Sequence, residues 1–203
     1  MAKRILIKII SSLLMRLLSK YISSATLMDS KGRFIQPFNP GCRDIDLEVV
    51  ALALSRIKRF FGQTKLSVAQ HSVNMARVFI HLGEYEYAKE ALLHEIAEAF
   101  MGDLASPLKR AFPMFKEIEE SLIKKTFDCY GLSYPMAKSV HVLDKSIMIN
   151  EAVEHMPNAD FWNSLGSKVD EKLLQAAQVD LTPWSDEDAF KEFMTTASIL
   201  KLV

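Results

Sequence analysis

The chain has 203 residues, 49% hydrophobic and 25% charged, with 25 basic side chains balanced by 25 acidic ones. That length supports one domain with a sizeable core, and the composition is that of an ordinary globular protein. A formal net charge of zero excludes a whole-protein field that would draw in a nucleic-acid polymer, so any anion site must be a local cluster of cations.

Met1 to Tyr21 mixes Ile and Leu with Lys3, Arg4, Lys8, Arg16 and Lys20. Lys8 and Arg16 interrupt the apolar run before it reaches membrane-spanning length, and the clean apolar stretch and cleavage site of a secretory signal are missing. Leu13, Leu14, Leu17 and Leu18 recur at helical spacing. Residues 1–24 are therefore expected to form a basic amphipathic extension that packs on the protein or on a neighbouring subunit, with a membrane surface as the alternative. Residues 25–203 are expected to form the domain proper.

Residues 29–43, with Gly32, Pro37, Pro40 and Gly41, read as an irregular loop. Asp44 or Asp46 can cap a helix running to Phe61, with Gly62 as its stop. Ser67 can cap the next, Val68 to Leu82, ending at Gly83. Glu84 to Met101 reads as a third helix stopped by Gly102, and Asp103 to Pro113 as a loop. Phe115, Ile118, Leu122, Ile123 and Phe127 mark a fourth helix. Pro135 opens a fifth, through Asp144 to Met156. A short helix is expected around Leu173 and Leu174, and a last one from Pro183 to Leu202. Alternating strand patterns are absent, so the expected fold class is all-α. Cys42 and Cys129 lie far apart with no CxxC pairing and read as free thiols in a reducing compartment.

The chemistry concentrates between Leu92 and Asp103, where His94, Glu95, Glu98 and Asp103 interrupt an apolar segment. Charges there need solvent, each other or a metal. His71 and Asp144, on other helices, complete a set of two imidazoles and several carboxylates, the donor types that a hydrolytic divalent metal takes. A zincin reading fails, because His94-Glu95 is followed by Glu98 where a second His is required. Arg59 and Lys109 are the candidate phosphate cations. His81 reads as surface and His141 as structural, while Trp162 and Trp184 read as core or subunit contacts.

These residues resemble the HD superfamily of metal-dependent phosphohydrolases. His71 matches its first His, His94 the second, and Asp144 its last Asp; Glu95 departs from the family's His-Asp doublet. Glu98, Gly102-Asp103 and Pro107-Leu108-Lys109 resemble the extended motif of the nucleotide-hydrolysing branch, and the likeness spans residues 25–157. The resemblance implies a helical bundle, here with an N-terminal extension and an extra C-terminal helix. It implies a divalent metal (cobalt, manganese, zinc or magnesium) on His71, His94, Glu95 and Asp144. It also implies catalytic roles for Glu98 and Asp103, and substrate contacts from Arg59, Phe60 and Lys109. The implied activity is hydrolysis of a dNTP of the dATP type, releasing triphosphate. A 5′-deoxynucleotidase acting on dNMPs is one alternative, and a nucleotide-binding protein with weak turnover, motivated by Glu95, is another. The expected setting is the cytoplasm, without membrane insertion, as a homo-oligomer.

Overall fold

In this computed structural model, which describes residues 26–203, the chain opens with a small hairpin where a loop was expected. Strand β1 (Leu27–Met28) pairs antiparallel with β2 (Phe34–Ile35), Leu27 opposite Ile35. Asp29 sets the turn, its Oδ1 accepting from the amides of Lys31 and Arg33. Strands of two residues are too short for an alternating pattern to register in a sequence. The amphipathic segment 1–24 lies outside the described residues. The remaining regular structure is helical apart from one isolated bridge, so the fold is all-α.

Asp46 caps α1 (Leu47–Arg56), its side chain accepting from the Glu48 amide. The helix ends at Arg56, short of the expected Phe61, because the following segment turns back on itself. Arg59 N donates to Leu66 O, Val68 N donates to Ile57 O, and Lys58 bridges to Ser67. At the tip of this loop Phe60 and Phe61 have φ of 55° and 46°, a left-handed conformation that bulky side chains rarely adopt.

Helix α2 (Val68–His81) begins under its expected Ser67 cap and runs through the middle of the molecule. From Val68 to Phe79 every residue but Arg77 is buried. Its buried amides need partners, and the far end of the chain supplies them. Gln70 Nε2 donates to the carbonyls of Asp180 and Thr182, and Asn74 Nδ2 to that of Asp180. In return the Asp180 and Trp184 amides donate to Asn74 Oδ1 and Gln70 Oε1.

The single helix expected over Glu84–Met101 is broken into α3 (Tyr85–Leu93) and α4 (Glu98–Met101). Between them the amides of Ile96, Glu98 and Ala99 bond three residues back, to Leu93, Glu95 and Ile96. Helix α5 (Ser106–Ala111), with Pro107 in its first turn, fills part of the expected loop. Helix α6 (Pro113–Cys129) leads to α7 (Lys138–His155), which starts later than Pro135. Glu90 on α3 accepts from the Ala137 amide at 2.7 Å and so fixes the start of α7. Short helices α8 (Ala159–Ser164) and α9 (Glu171–Ala176) precede α10 (Asp186–Ile199). Helix α10 packs on α1, α2 and α3 with Ala189, Phe193 and Ala197 buried, so the C-terminal helix is part of the core.

The two cysteines are not free. Cys42 and Cys129 form a disulfide, their Cα atoms 5.5 Å apart across a sequence separation of 87. Spacing along the chain carried no sign of this, because the bridge joins the segment before α1 to the last residue of α6. Among the described residues no helix is long and apolar enough to cross a membrane.

Candidate metal centre

Three stretches of backbone converge on one point. Central α2 delivers His71, the tight turn after α3 delivers His94 and Glu95, and α7 delivers Asp144. Each offers a ligand atom, and these atoms all lie within 4.8 Å of one another. His71 Nε2 is 3.2 Å from Asp144 Oδ1, and His94 Nε2 is 3.5 Å from Glu95 Oε1 and 3.9 Å from Asp144 Oδ1. The departure from regular helix thus falls on the two adjacent residues that both contribute ligand atoms.

Hydrogen bonding behind His94 sets its tautomer. Its Nδ1 donates to the Ala91 carbonyl at 2.7 Å, which leaves Nε2 as a lone pair. That Nε2 is buried and has no hydrogen-bond partner. A buried acceptor turned toward two carboxylates is unfavourable unless a cation completes it. Two imidazoles and two carboxylates suit a divalent metal that accepts mixed nitrogen and oxygen ligands. The Asp144 side chain is 35% exposed and is the most accessible of the four.

Beneath this group lies a carboxylate that sequence reasoning missed. Glu151 Oε1 is 2.8 Å from His71 Nδ1, and its Oε2 is 2.8 Å from Arg59 Nε. The available signal was spacing: Glu151 follows Asp144 by about two turns and therefore shares its helix face. Arg59 is itself buried, with Nη1 3.8 Å from Glu95 Oε1. The charges support one another. Burial works against the Arg59 cation, but Glu151 and Glu95 more than offset it and hold its pKa up. Burial alone would raise Glu151, yet Arg59 and His71 keep its carboxyl below the usual range. Burial and Arg59 oppose charge on His71, and the Glu151 and Asp144 carboxylates overcome both, lifting the imidazole to about 9.

Glu98, Lys109 and Asp103 occupy the adjoining side. Lys109 Nζ lies 3.3 Å from Glu98 Oε1 and also pairs with Glu119, another residue that sequence reasoning missed. The ammonium expected to meet phosphate is thus held between two carboxylates. Burial, with help from Glu95 and Asp103, pushes the Glu98 carboxyl well above its ordinary range. Asp103 Oδ2 accepts from the Phe61 amide at 3.3 Å, bracing the strained loop that carries Arg59 and Phe60. The Arg59 guanidinium stands 5.6 Å from the Phe60 ring centroid. Trp162, expected in the core or at a subunit contact, meets Phe60 edge-on at 5.6 Å and places a second aromatic beside the site. His81 and His141 are exposed and stand outside the cluster.

No family model matches the chain. An Escherichia coli protein named uncharacterized protein YfdR is 34% identical over 122 residues, which cover 59% of this chain and 66% of that relative. An uncharacterized protein of Rhodobacter capsulatus is 31% identical over 110 residues, 50% of this chain and 56% of that relative. The chain therefore spans between about half and two-thirds of the length of these relatives, whose names state no activity.

Proposed function

We propose that this protein is a metal-dependent phosphohydrolase of the HD kind that acts on deoxynucleotides, and that its substrate is a dNTP such as dATP. The observation that carries the reading is the buried, unpartnered His94 Nε2 converging with His71, Glu95 and Asp144. A divalent metal held by these four would polarise a phosphoryl oxygen and activate water for attack.

The chain's own groups suit the rest of the reaction. Water oxygen adds to the α-phosphorus, the bond from phosphorus to the 5′-oxygen breaks, and that oxygen takes a proton to leave as the nucleoside 5′-hydroxyl. Triphosphate is the other product. Glu98, kept protonated by its buried surroundings, can supply a proton to the departing oxygen. Arg59 brings Nη1 to 3.8 Å from Glu95, beside the ligand cluster, where phosphate oxygens would meet it, and an arriving polyphosphate would compete with Glu98 and Glu119 for Lys109. Phe60 and Trp162 provide apolar faces for a sugar and base.

A product assay tests this. Wild-type protein with Mn²⁺, Co²⁺ or Mg²⁺ is offered each dNTP and dNMP, and ion exchange separates the products. Triphosphate and deoxynucleoside from a dNTP are expected. Phosphate from dNMPs alone would favour the 5′-deoxynucleotidase reading. Metal-loaded protein that releases nothing from any of them would favour a binding protein, the outcome that Glu95 in place of Asp motivates.

A further inference from the structure

We infer that Glu151 is a positioning residue that holds His71 with one carboxylate oxygen and Arg59 with the other, and so couples the site's affinity for metal to its affinity for a phosphate anion. The inference rests on the metal-centre reading but not on the identity of the nucleotide.

Glu151 is completely buried, as is His71. An isolated carboxylate there would be strongly destabilising, so its two partners are required and not incidental. Toward His71, the short contact of Oε1 to Nδ1 places the ring proton on Nδ1. In the neutral ring, Nε2, which faces Asp144, is then left with its lone pair directed into the ligand cluster, where a metal would take the place of the proton that the imidazolium carries. A carboxylate behind an imidazole also makes that imidazole a stronger electron donor. His94 obtains its tautomer from a neutral carbonyl, that of Ala91. The two histidines therefore differ, and only His71 has a charged group behind it.

Toward Arg59, Oε2 lies 2.8 Å from Nε, the inner nitrogen of the guanidinium, an ion pair whose angle falls outside hydrogen-bond geometry. Of the terminal nitrogens, Nη1 lies 3.8 Å from Glu95 Oε1. The ion pair holds the guanidinium beside Glu151 by charge, and the planar end of an arginine is the group that forks two phosphate oxygens. Arg59 also lies on the loop strained at Phe60 and Phe61, so a side-chain anchor is needed to fix its direction. Glu151 is placed on the same helix as Asp144, and any movement of that helix shifts a ligand and both supports together.

Three full-length proteins test the coupling: wild type, Glu151→Gln and Glu151→Ala. Each is treated with chelator and titrated with Co²⁺, followed by the visible absorption of the bound ion. Binding of inorganic triphosphate is then measured calorimetrically with Co²⁺ present. The ¹⁵N spectrum of the His71 ring is recorded before metal is added, above pH 9, where the imidazole is neutral and has a tautomer to report. Glu151→Ala is expected to weaken Co²⁺ by about 10–100-fold. Glu151→Gln keeps an oxygen acceptor for Nδ1 but loses the charge facing Arg59. It should therefore recover most of the Co²⁺ affinity and the wild-type His71 tautomer, while triphosphate binding stays roughly tenfold weaker, as expected for one lost charge-assisted contact. Wild-type Co²⁺ affinity in folded Glu151→Ala would overturn the inference. If that variant does not fold, Glu151→Gln decides: unchanged triphosphate binding overturns it. Wild-type protein that takes up no Co²⁺ would fail the metal-centre reading instead, and the ¹⁵N spectrum would still report whether Glu151 sets the tautomer.

Discussion

At the scale of single residues, ligands and proton carriers make separable contributions. His94→Ala removes the unpartnered Nε2 and should abolish stoichiometric metal binding, measured by elemental analysis of the purified protein. Glu98→Gln should retain the metal and lose about 10²-fold or more in turnover, the size of a general acid contribution. Full activity in Glu98→Gln would remove it from proton transfer. A second consequence concerns pH. The His71 imidazole is raised from an ordinary 6.5 to about 9. Protonated His71 therefore contributes stability fully below pH 6.5, and the contribution is lost as pH rises through 9. Glu98, raised above its ordinary 4.5 chiefly by burial, acts in the same direction, since raising the pH forces a charge into a buried position. Chelator-treated protein should melt at progressively lower temperature as pH is raised from 6.5 past 9, and a divalent cation should flatten the trend by replacing the proton. A melting temperature that rises across this window would contradict the assignment. The four cluster residues and Glu98 were legible in the sequence because they match the motif of the family it resembles. Glu151 and Glu119 were not, because a single Glu on a helix is ordinarily a solvated one, and only the packing of α7 and α6 turns these inward.

At the scale of elements, the sequence was most readable where a capping side chain states its own purpose. Asp46 and Ser67 mark helix starts whose hydrogen bonds are present as expected. Ends were harder. Helix α1 stops because Arg59 and Val68 find partners across a loop, and no local residue announces a pairing made at a distance. The break between α3 and α4 was equally hidden, since Ala, Leu, Ile and Glu favour continuing a helix and the tertiary setting prevailed. The disulfide is the extreme case of such long-range information. It clips the segment before α1 to the end of α6, where Tyr130 also donates through its hydroxyl to the Ile45 carbonyl at 3.0 Å. Closing so long a loop restricts the unfolded chain, and reduction should cost about 2–4 kcal/mol. Urea denaturation with and without reductant measures this, and coincident curves would show that the clip adds nothing.

At the scale of the whole molecule, the resemblance reached only to residue 157, and the rest of the chain looked like an addition. The structure gives that part a place in the centre. Residues 180–184 close the buried amides of Gln70 and Asn74, the first adjacent to His71 and the second on the same helix. Packing of α10 on α1 and α2 reinforces the closure. Polar groups buried this way rarely separate one at a time, because each opening strands several donors and acceptors together. The backbone amides of α2 around His71 and those of α10 should therefore exchange their hydrogens with solvent as one cooperative unit, near the free energy of global unfolding. Gln70→Ala should accelerate exchange in both helices by a similar factor while the middle of α6 is less affected. Exchange that quickened in α10 alone would mark it as a detachable appendage. If those amides exchange together, residues 180–199 are the timekeeper of the buried ground around His71, to which they offer no ligand.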